Sequence, residues 1–86
     1  MLTEKRGDAA AAELAGWANR VARQVDEQVT IGVDYDGDSS TFLLRLIKGS
    51  RVLLFRLSES QVHKSGREAE CERTVQRKIK DLWNLI

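Results

Sequence analysis

The stretch Thr41–Leu57, TFLLRLIKGSRVLLFRL, constrains what this chain can fold into more than any other. Two apolar runs of strand length are separated by Gly49-Ser50, and glycine at the first central position suits a type II′ turn, where φ must be positive. A two-residue turn fixes which residues stand opposite one another. Lys48 then faces Arg51, and counting outward sets Leu46 against Leu53, Leu44 against Phe55 and Phe42 against Leu57 on one face. Every pair on that face is apolar. The other face carries Ile47 with Val52, Arg45 with Leu54, and Leu43 with Arg56, a mixture of aliphatic and cationic side chains. A slip of one residue would scatter the arginines through the apolar face, so turn chemistry and side-chain pattern select a single pairing.

The segment before the hairpin reads as a third strand. In Val29–Tyr35, VTIGVDY, the residues Val29, Ile31, Val33 and Tyr35 alternate with Thr30, Gly32 and Asp34, the pattern of a strand with one buried side. Asp36–Ser40, DGDSS, turns the chain. Either a two-residue turn at Asp36-Gly37 or a four-residue loop over Asp36–Ser39 leaves an even count, which keeps Val29 and Ile31 on the face of Phe42 and Leu44.

Helices flank the strands. Asp8 suits an N-cap before Ala9, Ala10 and Ala11, and Ala10, Leu14, Trp17, Ala18, Val21 and Val25 follow as one apolar stripe opposite Glu13, Arg20, Arg23, Gln24 and Glu27. This spacing predicts an amphipathic helix of about five turns with Trp17 in the core, preceded by a frayed lead-in over Leu2–Gly7. Cys71, Val75, Ile79, Leu82, Trp83 and Ile86 form a second stripe, and Arg73, Arg77 and Lys80 line its outer side, where Glu70 can meet Arg73 and Arg77 can meet Asp81. Ser58 with Gln61 and Ser65 with Glu68 are both capping-box spacings. The helix could begin at either, or a short turn at Ser58 could precede a helix from Ser65; Gly66 just inside the start favours Ser65.

These elements give one small α+β domain over residues 1–86, ordered α-β-β-β-α, with a three-stranded antiparallel meander and both helices on one face of it. A chain of 86 residues with 42% apolar content buries about 60 to 65% of the surface exposed by its unfolded form. The formal net charge of +1 supplies no long-range field towards nucleic acid or anionic lipid. One cysteine, Cys71, excludes an internal disulfide and a CxxC zinc site. The expected setting is a reducing, cytoplasmic one, with no membrane partner, because no apolar run approaches the roughly 18 residues of a span.

Few residues suggest chemistry. Asp34, Asp36 and Asp38 alternate around Gly37, but counting from Asp34 puts Ser39 where a calcium loop bends at glycine and Arg45 where it needs a bidentate glutamate. Aspartates at a solvated turn serve side-chain to backbone hydrogen bonds, so neither metal nor cofactor is expected. His63 and Cys71 are single, and Cys71 lies on an apolar stripe where a thiol packs as a small hydrophobe. No phosphate loop, HExxH or GxSxG occurs, so no enzyme is expected. The row Arg73, Arg77 and Lys80 reads as a solvated helix face.

The α-β-β-β-α order resembles that of the double-stranded-RNA-binding domain over nearly the whole chain. That family grips phosphates with basic residues at the start of its last helix and with the loop between its first two strands. Here His63, Lys64 and Arg67 precede Glu68, Glu70 and Glu72, and the loop carries Asp36 and Asp38. Acidic groups at both places repel phosphate, so the resemblance implies the shape and not the activity.

The outer sheet face holds the functional expectation. Leu43, Arg45, Ile47, Val52, Leu54 and Arg56 combine an apolar area larger than a small monomer normally leaves wet with arginines, which protein interfaces favour. A small non-enzymatic interaction module is expected, with a protein partner, most economically a second copy in a homodimer. The alternative is nucleic-acid binding through Arg45, Arg56 and the hairpin tip, Lys48 and Arg51. That face lacks an aromatic for base stacking.

Overall fold

The hairpin forms with the register its turn dictates. In the computed structural model, which describes residues 2–85, β2 (Thr41–Lys48) and β3 (Arg51–Ser58) pair antiparallel from Lys48 with Arg51 down to Thr41 with Ser58. Gly49 takes φ +60, and Ser50 is not among the residues at positive φ, as a type II′ turn requires. On the other side of β2 lies β1 (Thr30–Asp36), giving the sheet order β1-β2-β3. The strand and its loop sit slightly later than the sequence pattern implied: Asp36 still pairs with Thr41, and residues 37–40 make the turn. Asp36 Oδ1 accepts from the Asp38 amide at 3.1 Å and Ser40 adopts φ +53, so turn hydrogen bonding extends the ladder by one pair. Parity survives, with Ile31 opposite Leu46, Val33 opposite Leu44 and Tyr35 opposite Phe42.

Three helices complete the α+β fold: α1 (Gly7–Val25), α2 (Glu59–His63) and α3 (Glu68–Trp83). α1 lies mainly against β1, α3 against β3 and β2, and the two long helices touch. Between them and the sheet, Leu14, Phe42, Leu44, Leu46, Leu57, Val62, Val75, Ile79 and Leu82 are almost wholly removed from water. Each such side chain contributes about 1.5 to 3 kcal/mol of transfer free energy, which makes this layer the main stabilising feature.

The helix starts differ from expectation. α1 begins at Gly7 with Arg6 as N-cap and no side-chain cap, so Asp8 stands inside the first turn, where its charge complements the helix dipole. The lead-in is tied down by other means. The Leu2 amide donates to Val62 O at 2.9 Å, Thr3 Oγ1 donates to Glu13 at 2.5 Å, and His63 Nδ1 donates to Thr3 O at 3.2 Å. Both serines were plausible caps, but only Ser58 makes a complete capping box, its hydroxyl accepting from Gln61 N while Gln61 Oε1 accepts from Ser58 N. α3 starts at Glu68 after Arg67, so Ser65 is not its cap. Glu68 instead turns back to accept from the Gly66 amide at 3.0 Å.

Trp17 packs against the core from its margin and stays partly exposed, while the small alanines at positions 10, 11, 18 and 22 are buried. Trp83, at the end of the second stripe, is likewise exposed, and Ile86 lies outside the described residues. Among the described residues neither Glu70 with Arg73 nor Arg77 with Asp81 forms an ion pair. No described helix is long and apolar enough to cross a membrane.

Candidate functional site on the outer face of the sheet

Strand alternation carries every second residue of the sheet away from the helices. Leu43, Arg45 and Ile47 of β2 and Val52, Leu54 and Arg56 of β3 all stand on that outer face, joined by Thr30, Gly32 and Asp34 of β1. Val62 of α2 is wholly buried with the helical core, so the segment from Ser58 to Arg67 folds towards the inner side and leaves the outer face uncovered. Exposure rises towards the edge strand: Leu43 is half-buried, Ile47 keeps 38% of its surface, Val52 51% and Leu54 55%.

The two arginines are anchored by carboxylates that the strand pairing supplies. Arg45 stands opposite Gly32, and its Nη1 forms an ion pair with Asp34 Oδ2, one step further along the same face of β1. Glycine permits this geometry. A Cβ at residue 32 would lie 2.8 Å from Arg45 Nη2, so the guanidinium lies flat across the strand only because no side chain is there. Arg56 donates to Asp36 Oδ2 at 3.1 Å and to Thr41 Oγ1 at 2.9 Å. Hydrogen bonds from Ser39 first, then from the Asp38 amide and Arg56, hold the Asp36 carboxyl below its ordinary range despite partial desolvation. The acidic turn is thus committed to arginines and to its own backbone. Among the described residues no cluster of three His, Cys, Asp or Glu side chains converges on a cation position.

The hairpin tip is pinned from the opposite side. Asp26, which follows α1, accepts at Oδ2 from Lys48 Nζ at 2.6 Å and from Trp83 Nε1 at 2.9 Å, and at Oδ1 from the Gln28 amide at 2.9 Å. Lys48 also lies 5.9 Å from the Trp83 ring centre, and Arg51 Nη1 donates to Trp83 O at 2.8 Å. Lys48 above all, then the Gln28 amide, bring the Asp26 carboxyl down to about 2. All four cations of the nucleic-acid alternative are therefore held by partners within the chain.

The six residues singled out from sequence do share one surface. Sequence reasoning missed Gly32, Asp34 and Asp36 as their partners, since neither loop it offered, Asp36-Gly37 or Asp36–Ser39, gives the observed register, in which Gly32 stands beside Arg45. It also missed Asn19. From α1, Asn19 Nδ2 donates to Ile31 O at 2.8 Å and Asn19 Oδ1 accepts from Ile31 N at 2.9 Å, satisfying backbone groups that point out from the free side of β1. An asparagine at the edge of an apolar stripe was the available signal. Comparison with protein-family models, curated proteins and solved structures gave no match.

Proposed function

We propose that this protein is a small non-enzymatic protein-interaction module that self-associates through the outer side of its sheet. The observation that carries this reading is the exposure of Ile47, Val52 and Leu54 on one continuous surface that no described segment covers. Apolar area of this kind on a small chain favours a partner over water. The charges around it, Arg45 with Asp34 and Arg56 with Asp36, balance one another, so contact there buries little uncompensated charge. Leu43, Arg45 and Arg56 frame the patch, and Val52 and Leu54 are its most exposed members.

Sedimentation equilibrium at micromolar to millimolar concentration tests the reading. A reversible dimer is expected, with Leu54→Glu shifting it to monomer and the double variant Lys48→Glu, Arg51→Glu leaving it in place. A chain that stays monomeric throughout, with outer-face amide signals independent of concentration, overturns it. Titration with single- and double-stranded RNA and DNA at two salt concentrations separates the phosphate-led alternative, whose affinity must fall as salt rises.

A further inference from the structure

The strand most exposed on the outer side is also the one whose backbone edge is open. A two-residue turn makes Lys48 and Arg51 a hydrogen-bonded pair, so Leu53, Phe55 and Leu57 point their backbone groups at β2 while Val52, Leu54, Arg56 and Ser58 point theirs away. Two independent contacts agree with this phase. The Ser58 amide, on the outward set, is free to donate to Gln61, and on the far side of the sheet Asn19 reaches the outward groups of Ile31. Among the described residues nothing bonds the outward backbone groups of Val52, Leu54 or Arg56.

The usual protections of an edge are missing from β3. Its eight residues pair continuously with β2 without a bulge, and the stretch Val52-Leu53-Leu54-Phe55 contains no proline, lysine or inward charge. Apolar surface wraps the strand on both sides. Val52 and Leu54 are open on the outer side, and on the inner side Leu53 and Phe55 are only half-buried, with Lys78 reaching over the Phe55 ring at 6.0 Å. A flat partner on the outer face would leave Leu53 and Phe55 untouched. A strand laid alongside β3 meets both rows.

We infer that a second copy of this chain pairs its β3 antiparallel with this one about a two-fold axis at Leu54, joining two three-stranded sheets into one of six strands. This geometry rests on the self-association reading above and moves its contact from the flat outer face to the edge of β3, where Val52 and Leu54 still take part. About that axis Leu54 meets Leu54 of the other copy on the outer side, and Leu53 meets Phe55 twice on the inner side. Val52, Leu54 and Arg56 supply three narrow pairs, each exchanging two hydrogen bonds. Charge placement selects the direction. A parallel pairing in register would set Arg51 beside Arg51 and Arg56 beside Arg56, whereas the antiparallel one sets Arg51 against Leu57 and Arg56 against Val52, with no like charges opposed. Pairing β3 with β3 about a two-fold axis uses the same edge of both copies and so closes at two, and at the other edge of the sheet Asn19 already engages the outward groups of Ile31.

Amide hydrogen exchange on the wild-type chain, followed as concentration rises through the dimer range, tests this without any mutation. The amides of Val52, Leu54 and Arg56 are expected to slow about tenfold or more together, while those of outer-face residues on β2 stay as they were. Leu54→Pro removes an outward-facing donor on an edge strand together with the Leu54 side chain and should give a folded monomer by circular dichroism and sedimentation, an outcome that separates from flat-face association only alongside the exchange pattern and Ile47→Glu. Ile47→Glu, on the central strand, should remain a dimer. If Ile47→Glu becomes monomeric and the three β3 amides stay unprotected in the wild-type dimer, the edge geometry is overturned and association through the flat face stands. A chain that is monomeric at every concentration overturns both. Should Leu54→Pro fail to fold, the wild-type exchange pattern decides alone.

Discussion

The two sides of the hairpin differ by a single residue step and by more than half the range of solvent exposure at their extremes. Leu44 and Leu46 are completely buried under the helices, whereas Leu54, reached from the same ladder on the opposite side, keeps 55% of its surface. Both rows are made of aliphatic residues, so hydrophobicity alone does not decide which becomes core. Coverage does: α1 and α3 close over one side, and the short α2 returns the chain to that same side through Val62. The lesson is that the outer row of leucines and valines contributes little to the folded monomer and is available for contact.

Truncation on the two sides tests that contrast most directly. Leu44→Ala should cost about 2 to 5 kcal/mol, the range for deleting a fully buried leucine, read as a lowered urea midpoint at unchanged slope. Leu54→Ala, measured where the chain is monomeric, should stay within about 0.5 kcal/mol of the parent. A comparable loss at both positions would mean that the outer side is covered in solution and would erase the distinction.

The edges of the sheet carry a second contrast, β1 engaged at Ile31 by Asn19 and β3 without any such contact from a described residue along residues 52–56. Asn19→Leu strips two backbone partners from Ile31 and is expected to destabilise by about 1 to 3 kcal/mol. It should also raise the association order beyond two, because it uncovers a second edge for strand addition. Light scattering against concentration reads the latter. An Asn19→Leu chain as stable and as small as the parent would show that the edge needs no plug.

Much of this was legible in the residues and some was not. Gly49 fixed the hairpin register, and period-two alternation placed Val29, Ile31 and Val33 correctly, because turn chemistry and burial act locally and agree. The start of α3 was legible in part: a short turn at Ser58 ahead of the helix was among the options and forms, with Val62 buried, but Ser65 and Ser58 offer the same local spacing and α3 starts at Glu68 without Ser65 as its cap. Arg45 and Arg56 looked free because their partners Asp34 and Asp36 depend on the β1–β2 register, and an even loop fixes only the face each residue shares, not the register, which came out later than either loop reading had it. Trp17 does pack against the core as the stripe implied, but only in part, because an apolar stripe does not record which of its members lie at the margin.

The polar contacts also sort by side, and the inner one can be tested with acid. Lys48 with Asp26 closes the inner end of the hairpin and the carboxyl is depressed to about 2 from an unfolded value near 3.8. A depressed carboxyl contributes stability that is fully present above the unfolded value and is lost as pH falls through the folded one. Asp26→Asn should therefore be less stable than the parent above about pH 4, the gap narrowing towards pH 2. Chemical denaturation at a series of pH values measures it, and a gap that does not depend on pH would remove Asp26 from the account.

The smallest expected effect concerns the arginine lying on the outer side. Gly32→Ala places a methyl where Arg45 Nη2 now rests, and since the obstructed atom is the end of a flexible side chain, the strand need not move. Replacing glycine in a strand gains about 0.5 to 1 kcal/mol by restricting the unfolded chain, and loosening an exposed ion pair loses about 0 to 1 kcal/mol. The two offset, so the urea midpoint should hardly change. The Arg45 guanidinium should nevertheless become mobile, seen as faster exchange of its Nε proton while that of Arg56, whose partner Asp36 is untouched, keeps its rate. If both arginines respond alike, they belong to one connected surface network and the anchoring of Arg45 by the bare backbone of Gly32 is wrong. If only Arg45 responds, the missing side chain at residue 32 is what lays one cation flat and leaves the neighbouring leucines uncovered.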